Sequence, residues 1–209
     1  MTDTSIPPGI DSTLSLQYHA SGGNDKSEWA PYTQVKYYTN AFIAYDGKIL
    51  LGYKKRGFGM GKYNGYGGKV EPGETPLQAA ARELQEESGV TATLEHAGSL
   101  FFFTAGAEWA FQIEIYRADS YEGTITESDE MRPEWFASGL KKTASHVDDS
   151  DLDLPPIPYV KMWETDEIWI PLLLSKQPFA GRADFIKDGD DFKPWKWWYG
   201  RVVDGAKES

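Results

Sequence analysis

The stretch Gly68–Val90, GKVEPGETPLQAAARELQEESGV, decides how the rest of the chain is read. Pro72-Gly73 is turn chemistry, since proline presets φ and glycine takes conformations that other residues avoid. Thr75 stands where a helix N-cap belongs, Pro76 at the first helical position, and Gln78 where it completes a capping box with Thr75. Gly89 is placed to end the helix in a left-handed conformation. Leu77, Ala80, Ala81, Leu84 and Ser88 recur with the helical period and predict a narrow stripe of small and apolar side chains. Glu83 and Glu87, four apart, are expected to stack on one flank of that stripe. Glu86 lies further round, with Arg82 beyond it.

A helix built only for stability would not carry this pattern. Like charges at such spacing cost a few tenths of a kcal/mol, and they crowd the helix end that disfavours negative charge. A solvated acidic face is the plainer reading of any helix with adjacent glutamates. The other is a divalent cation. Mg²⁺ takes hard oxygen ligands, keeps some of its waters and is commonly shared with substrate phosphates.

Composition narrows the classes. With 209 residues, 40% hydrophobic and 14% aromatic, the chain can bury a sizeable core as one domain with appendages. A net charge of −11 opposes general binding to nucleic acid or to anionic membrane, so neither partner is expected. The absence of cysteine excludes a disulfide framework and a thiol nucleophile. No apolar run is long enough to span a membrane, and the N-terminus lacks the basic start and apolar core of a secretory signal. An intracellular, cytoplasmic protein is expected, with nuclear or mitochondrial placement left open.

Residues 1 to about 31 are rich in Ser, Thr, Gly and Pro and read as an extension. Val35–Ala44 is β-branched and aromatic, hence a strand. Asp46-Gly47 predicts a tight hairpin turn, and Lys48–Tyr53 the return strand. Lys54-Lys55-Arg56 then precedes the glycine-rich run GFGMGKYNGYGG, where bare backbone and adjacent cations suit a phosphate chain. Leu94–Thr104 and Trp109–Arg117 read as further strands. In the polar stretch Tyr121–Met131, Glu127, Asp129 and Glu130 are candidates for one more metal ligand from outside the helix. Pro133–Phe136 is strand-like, and Lys141–Pro158, acidic and then proline-rich, reads as a surface insertion. Met162–Leu174 mixes aromatics, acids and a proline. Phe179–Tyr199 reads as short strands around a hairpin at Asp188-Gly189. The aromatics of Trp195–Tyr199 are expected to pack against the sheet rather than to stack on nucleic-acid bases.

Gly68, Glu74, Arg82, Glu83, Glu86, Glu87 and Gly89, with Leu84 and Val90 at the aliphatic positions, resemble the signature of the Nudix hydrolases without a departure. KKRGFGMGKYNGYGGKV, RELQEESG, ESDEMRPEWF and the spaced MW…W.PLLL segment resemble, more narrowly, the eukaryotic MutT-homologue branch. That branch hydrolyses oxidised purine nucleoside triphosphates. The likeness runs from about Val35 to Phe136 and again from about Tyr159 to Val203. It implies an α/β fold, an α/β/α sandwich with a mixed, curved sheet. The implied organisation is an extension at 1–31, a Nudix domain at 32–204 interrupted by an insertion at 141–158, and a tail at 205–209. It also implies a monomer that acts on a small-molecule nucleotide.

The resemblance assigns the residues as follows. The Gly68 carbonyl, Glu83, Glu87 and Glu130 would hold Mg²⁺, with Mn²⁺ as an alternative ion and Glu86 beside a second one. Glu86 or Glu87 would take a proton from the attacking water, and Arg82, with Glu74, would orient the carboxylates. Lys54 would lie near the phosphates. Asn64 would hydrogen-bond the purine edge, and Phe58, Phe102 and Trp163 would line the base pocket. Where the family has two adjacent aspartates reading the purine, this chain has Thr165 and Asp166. A threonine cannot titrate, so a shifted substrate preference is expected. The rival readings are a Nudix pyrophosphatase acting on another diphosphate-linked substrate and a non-catalytic nucleotide-binding module.

Overall fold

The computed structural model describes residues 5–24, 26–139, 154–189 and 191–203. Most of the surface insertion expected at 141–158 lies outside these residues, as does the tail at 205–209. The chain forms two compact units. One comprises residues 1–37, 97–114 and 164–209, and the other 38–96 and 115–163.

The second unit contains the helix predicted from the opening stretch. Helix α1 spans Pro76–Ser88. The Thr75 hydroxyl accepts from the Gln78 N–H and the Gln78 side chain accepts from the Thr75 N–H, so the capping box forms in full. Gly89 ends the helix at φ 77°. Its N–H reaches back to the Gln85 carbonyl at 2.9 Å. The buried residues of the helix are Ala79, Ala80, Leu84, Glu87 and Ser88. Ala80, Leu84 and Ser88 of the expected stripe are buried, whereas Leu77 and Ala81 are exposed, so the buried face is rotated from the expected stripe towards Ala79 and Glu87. Helical periodicity alone left the rotation open here, because Ala79, Ala80 and Ala81 are alike in size and polarity.

Most of strand β2 (Gln34–Tyr45) belongs to the same unit, as do β3 (Lys48–Lys54), β4 (Tyr63–Asn64), β5 (Val90–Thr91), β8 (Glu122–Gly123) and β9 (Met131–Ala137). β2 and β3 meet at the predicted hairpin, where Asp46 and Gly47 both have positive φ, as a two-residue turn of this hand requires. β3 pairs along its whole length with β9, and Gly52-Tyr53 also pairs with β4. The chain after β4 runs antiparallel beside β2. Ala41 and Tyr66 exchange backbone hydrogen bonds, and the Thr39 N–H donates to the Gly68 carbonyl at 2.9 Å. A Cβ on Gly67 would collide with the Thr39 carbonyl, so only glycine permits this approach. Ala41, Ile43, Leu50, Tyr66, Ala80, Leu84, Val90 and Met131 form the core of this unit.

The first unit is built on a mixed sheet. β1 (Leu16–Gly23) pairs antiparallel with β11 (Asp191–Val202), β11 antiparallel with β10 (Phe179–Asp188), and β10 parallel with β6 (Glu95–Thr104). β7 (Trp109–Ala118) contributes its first half. β10 and β11 are long paired strands, not the short ones expected. β1 lies in the Ser/Gly-rich segment for which no strand was predicted. Helix α2 spans Asp166–Leu174 and carries Pro171 inside it. Trp169 stacks on Phe179 with ring centroids 5.5 Å apart. Among the described residues, no helix is long and apolar enough to cross a membrane.

Replacing Thr75 with Ala removes the hydroxyl that accepts the Gln78 N–H, leaves the Thr75 N–H to the Gln78 side chain, and should cost about 1 kcal/mol. Urea unfolding of Thr75→Ala measures it, and an unchanged midpoint would show that packing alone holds the helix start.

Candidate active site

The fold gathers Gly68, Glu74, Arg82, Glu83, Glu86, Glu87, Lys54 and Glu130 in one unit. Arg82 organises the outer carboxylates. Its Nε and Nη2 donate to the two oxygens of Glu74 at 2.7 and 3.1 Å. Its Nη1 donates to Glu83 at 2.7 Å and to Glu86 at 3.3 Å. The paired guanidinium holds the Glu74 carboxyl below its ordinary pKa. Arg82 itself is pushed up by its bonds to Glu74 and then Glu83.

Glu87 is the inner carboxylate and is only 5% exposed. One oxygen accepts the Gly67 N–H at 2.9 Å, and the other faces Lys54 Nζ at 3.8 Å. Burial raises its pKa from 4.5 to about 7, against the pull of Lys54 and of the Gly67 N–H. The charges of Glu83 and Glu130 add to the rise. Tyr66, buried beside it, has a hydroxyl with no hydrogen-bond partner among the described residues. Lys54 Nζ donates to Glu130 at 2.5 Å, so one ammonium is shared between Glu87 and Glu130. Arg56 also reaches Glu130, at 3.5 Å. Of the other acids in that stretch, Glu127 pairs with Lys55 at 2.6 Å and Asp129 is exposed.

These groups suit a hard cation by their chemistry, for every candidate donor is oxygen: four carboxylates and the Gly68 carbonyl. The backbone agrees, because a Cβ on Gly68 would strike the Glu83 carboxylate. Glycine there keeps carbonyl-bearing backbone against the acid. Among the described residues, however, no three carboxylates or imidazoles converge on one point. Lys54, Arg56 and Arg82 are the counter-charges paired with these acids.

The residues expected at the base divide between the units. In the second unit, Phe58 stacks on Trp163 with centroids 5.2 Å apart, and Lys62 Nζ lies 4.9 Å from the Trp163 ring. Asn64 accepts at Oδ1 from the Gly65 N–H at 2.9 Å and from Asn40 Nδ2 at 2.7 Å. In the first unit, Phe102 packs edge-on against Phe185. Thr165 and Asp166, both buried, open helix α2. Asp166 accepts from Trp169 Nε1 at 3.0 Å. The Thr165 hydroxyl lies beside the Tyr199 phenol. Burial pushes the nearby Tyr199 phenol up, with Thr165 opposing the rise and Asp166 adding to it. Thr39 and Asn40, buried polar residues of β2, hydrogen-bond the Gly68 carbonyl and Asn64, and the sequence reading missed them. Their only signal was a polar pair in a strand of apolar side chains.

A model of the NUDIX domain matches residues 25–140. The oxidized purine nucleoside triphosphate hydrolase of Danio rerio is 46% identical over 151 residues, 72% of this chain and 86% of that protein. The protein of the same name from Mus musculus is 42% identical over 149 residues, 71% of this chain and 85% of that one. The crystal structure of a mutator MutT protein from Bacillus halodurans superposes with a TM-score of 0.54 at 27% identity, covering 78% of this chain and 97% of that one.

Glu87 ties stability to pH. Between about pH 4.5 and 7 the folded state keeps a proton on Glu87 that the unfolded chain has released. The group's contribution is therefore full below pH 4.5 and is lost as pH rises through 7. Glu87→Gln, which keeps an oxygen for the Gly67 N–H, should gain on wild type by on the order of 2–3 kcal/mol between about pH 4.5 and 8. Urea unfolding in EDTA at both ends of this range reads the difference, and parallel pH profiles would disprove it.

Proposed function

The chain belongs to the Nudix family and is a hydrolase of acid anhydrides, and from that premise we propose that it cleaves oxidised purine nucleoside triphosphates to the nucleoside monophosphate and pyrophosphate. The proposed substrates are of the 8-oxo-dGTP and 2-hydroxy-dATP kind, and their removal keeps damaged bases out of the nucleotide pool. Likeness to two vertebrate hydrolases of that name, spanning most of their length, supports the substrate class. The observation that carries the chemistry is Glu87, a carboxylate buried on the inner face of α1, fixed by the Gly67 N–H and facing Lys54.

Nudix hydrolases generally use divalent metal ions. Here Gly68, Glu83, Glu86, Glu87 and Glu130 would hold Mg²⁺, or Mn²⁺ in its place. When bound, such an ion neutralises phosphate charge and acidifies water. The protein's own groups do the rest. Arg82, anchored on Glu74, sets the orientation of Glu83 and Glu86. The Gly67 N–H fixes one Glu87 oxygen and leaves the other turned to the Lys54 side. Lys54 offers positive charge to a phosphate chain in an otherwise acidic setting. Water attacks phosphorus, its oxygen forming the new P–O bond while the bond to the bridging oxygen breaks. The Glu86–Glu87 pair accepts the proton. Phe58 and Trp163 supply aromatic faces for a base, and Asn64 hydrogen-bonding groups for its edge.

Pyrophosphate release from 8-oxo-dGTP should require Mg²⁺ and stop in EDTA. It should fall by roughly 10² to 10⁴-fold in Glu87→Gln, the loss expected when a general base is removed. Near wild-type turnover in that variant would reject the assignment of Glu87. Thr165→Asp restores the paired acids of the family pattern and should change the order of kcat/KM among 8-oxo-dGTP, 2-hydroxy-dATP and dGTP. An unaltered order would show that Thr165 does not set preference.

A further inference from the structure

The Asn64 amide is held in one orientation, and the reason can be read from its neighbours. A backbone N–H can only donate, so the Asn64 atom that faces the Gly65 N–H at 2.9 Å is its oxygen. The Asn40 atom 2.7 Å from that same oxygen must then be its amide nitrogen. Two donors converge on Asn64 Oδ1, and flipping the amide would set N–H against N–H at both. Asn40 is itself confined. It is 8% exposed, and its own Oδ1 is buried against the backbone of Gly65 without a partner among the described residues. Among the described residues, no protein acceptor takes the Asn64 amide hydrogens, and Asn64 is only half-buried.

We infer that Asn40 is a positioning residue for base selection. It occupies the acceptor of Asn64, so that Asn64 meets the purine with hydrogen-bond donors only. This deepens the proposed function and rests on it. A base edge with a carbonyl at that point, as in a 6-oxopurine, is matched. A 6-aminopurine presents an N–H there, donor against donor, and is disfavoured. A buried donor without an acceptor is a strong basis for rejection, because a site built to hydrogen-bond excludes a ligand that leaves it unpaired.

The test is the ratio of kcat/KM for 8-oxo-dGTP over 2-hydroxy-dATP in the full-length wild type, Asn40→Leu and Asn40→Asp, each checked for folding by thermal unfolding. Asn40→Leu deletes one of the two donors, and the ratio should fall roughly three- to tenfold, the equivalent of one ordinary hydrogen bond. Asn40→Asp puts an acceptor against Asn64 Oδ1 and favours the flipped amide, so the ratio should fall further, towards inversion. A general packing defect would lower both substrates together and leave the ratio unmoved. An unmoved ratio in folded Asn40→Leu overturns the assignment, whether or not the aspartate variant folds. If wild type turns over both substrates, that result leaves the proposed function standing. If wild type turns over neither, the proposed function fails and this assignment fails with it.

Discussion

The burial of Glu87 is the constraint on which the second unit depends. A carboxylate taken out of water must be compensated or protonated. Here compensation is partial: one backbone N–H and one ammonium at 3.8 Å. The raised pKa is the remainder of that balance. Much of the surrounding backbone serves it. The segment after β4 lies along β2 so closely that Gly67 admits no side chain, and that path delivers its N–H to the acid. The core around Leu84, Ala80 and Tyr66 supplies the low dielectric.

Charge crowding explains the rest of the helix. Glu83, Glu86 and Glu87 lie towards a helix end that repels anions, and Arg82 answers only the outer two. Lys54 answers Glu87 and Glu130 together. The free protein thus carries its own provisional counter-ions. A divalent ion held there together with a phosphate chain would change that pairing, because the phosphate would give Lys54 an alternative partner as the carboxylates gained the metal.

What could be read in the sequence was local. The caps of α1 were legible because Thr75, Pro76, Gln78 and Gly89 each act within a few residues of themselves. The Asp46-Gly47 turn was legible for the same reason. The carboxylates were legible as a spaced pattern, and Ala80, Leu84 and Ser88 as buried, but the rotation of the buried face towards Ala79 and Glu87 was not. That is decided by a loop that comes earlier in the chain and by β9, which comes later. Helix α2 was hidden twice, by an apolar residue on almost every side and by Pro171, which reads as a breaker. Burial of Trp169, Ile170, Leu172 and Leu173 outweighs the hydrogen bond that proline forfeits. Strand β1 was hidden because LQYHASGG is poor in β-branched residues and ends in small ones, so the backbone pairing with β11 that makes it a strand leaves little trace in composition.

Asn40 shows why a list of motif residues understates a site. In the sequence it is one polar residue among VKYYTNAFIA, and nothing in the spacing marks it. In the fold it meets the one oxygen whose occupancy decides how Asn64 can be used. An asparagine is ambiguous until its neighbours are known, since it offers a donor and an acceptor of almost equal size. The residue that removes the ambiguity need not touch a ligand. It need only be buried, fixed and unable to accept what it donates to, and Asn40 meets those conditions through its place on β2 beside the Gly65 backbone.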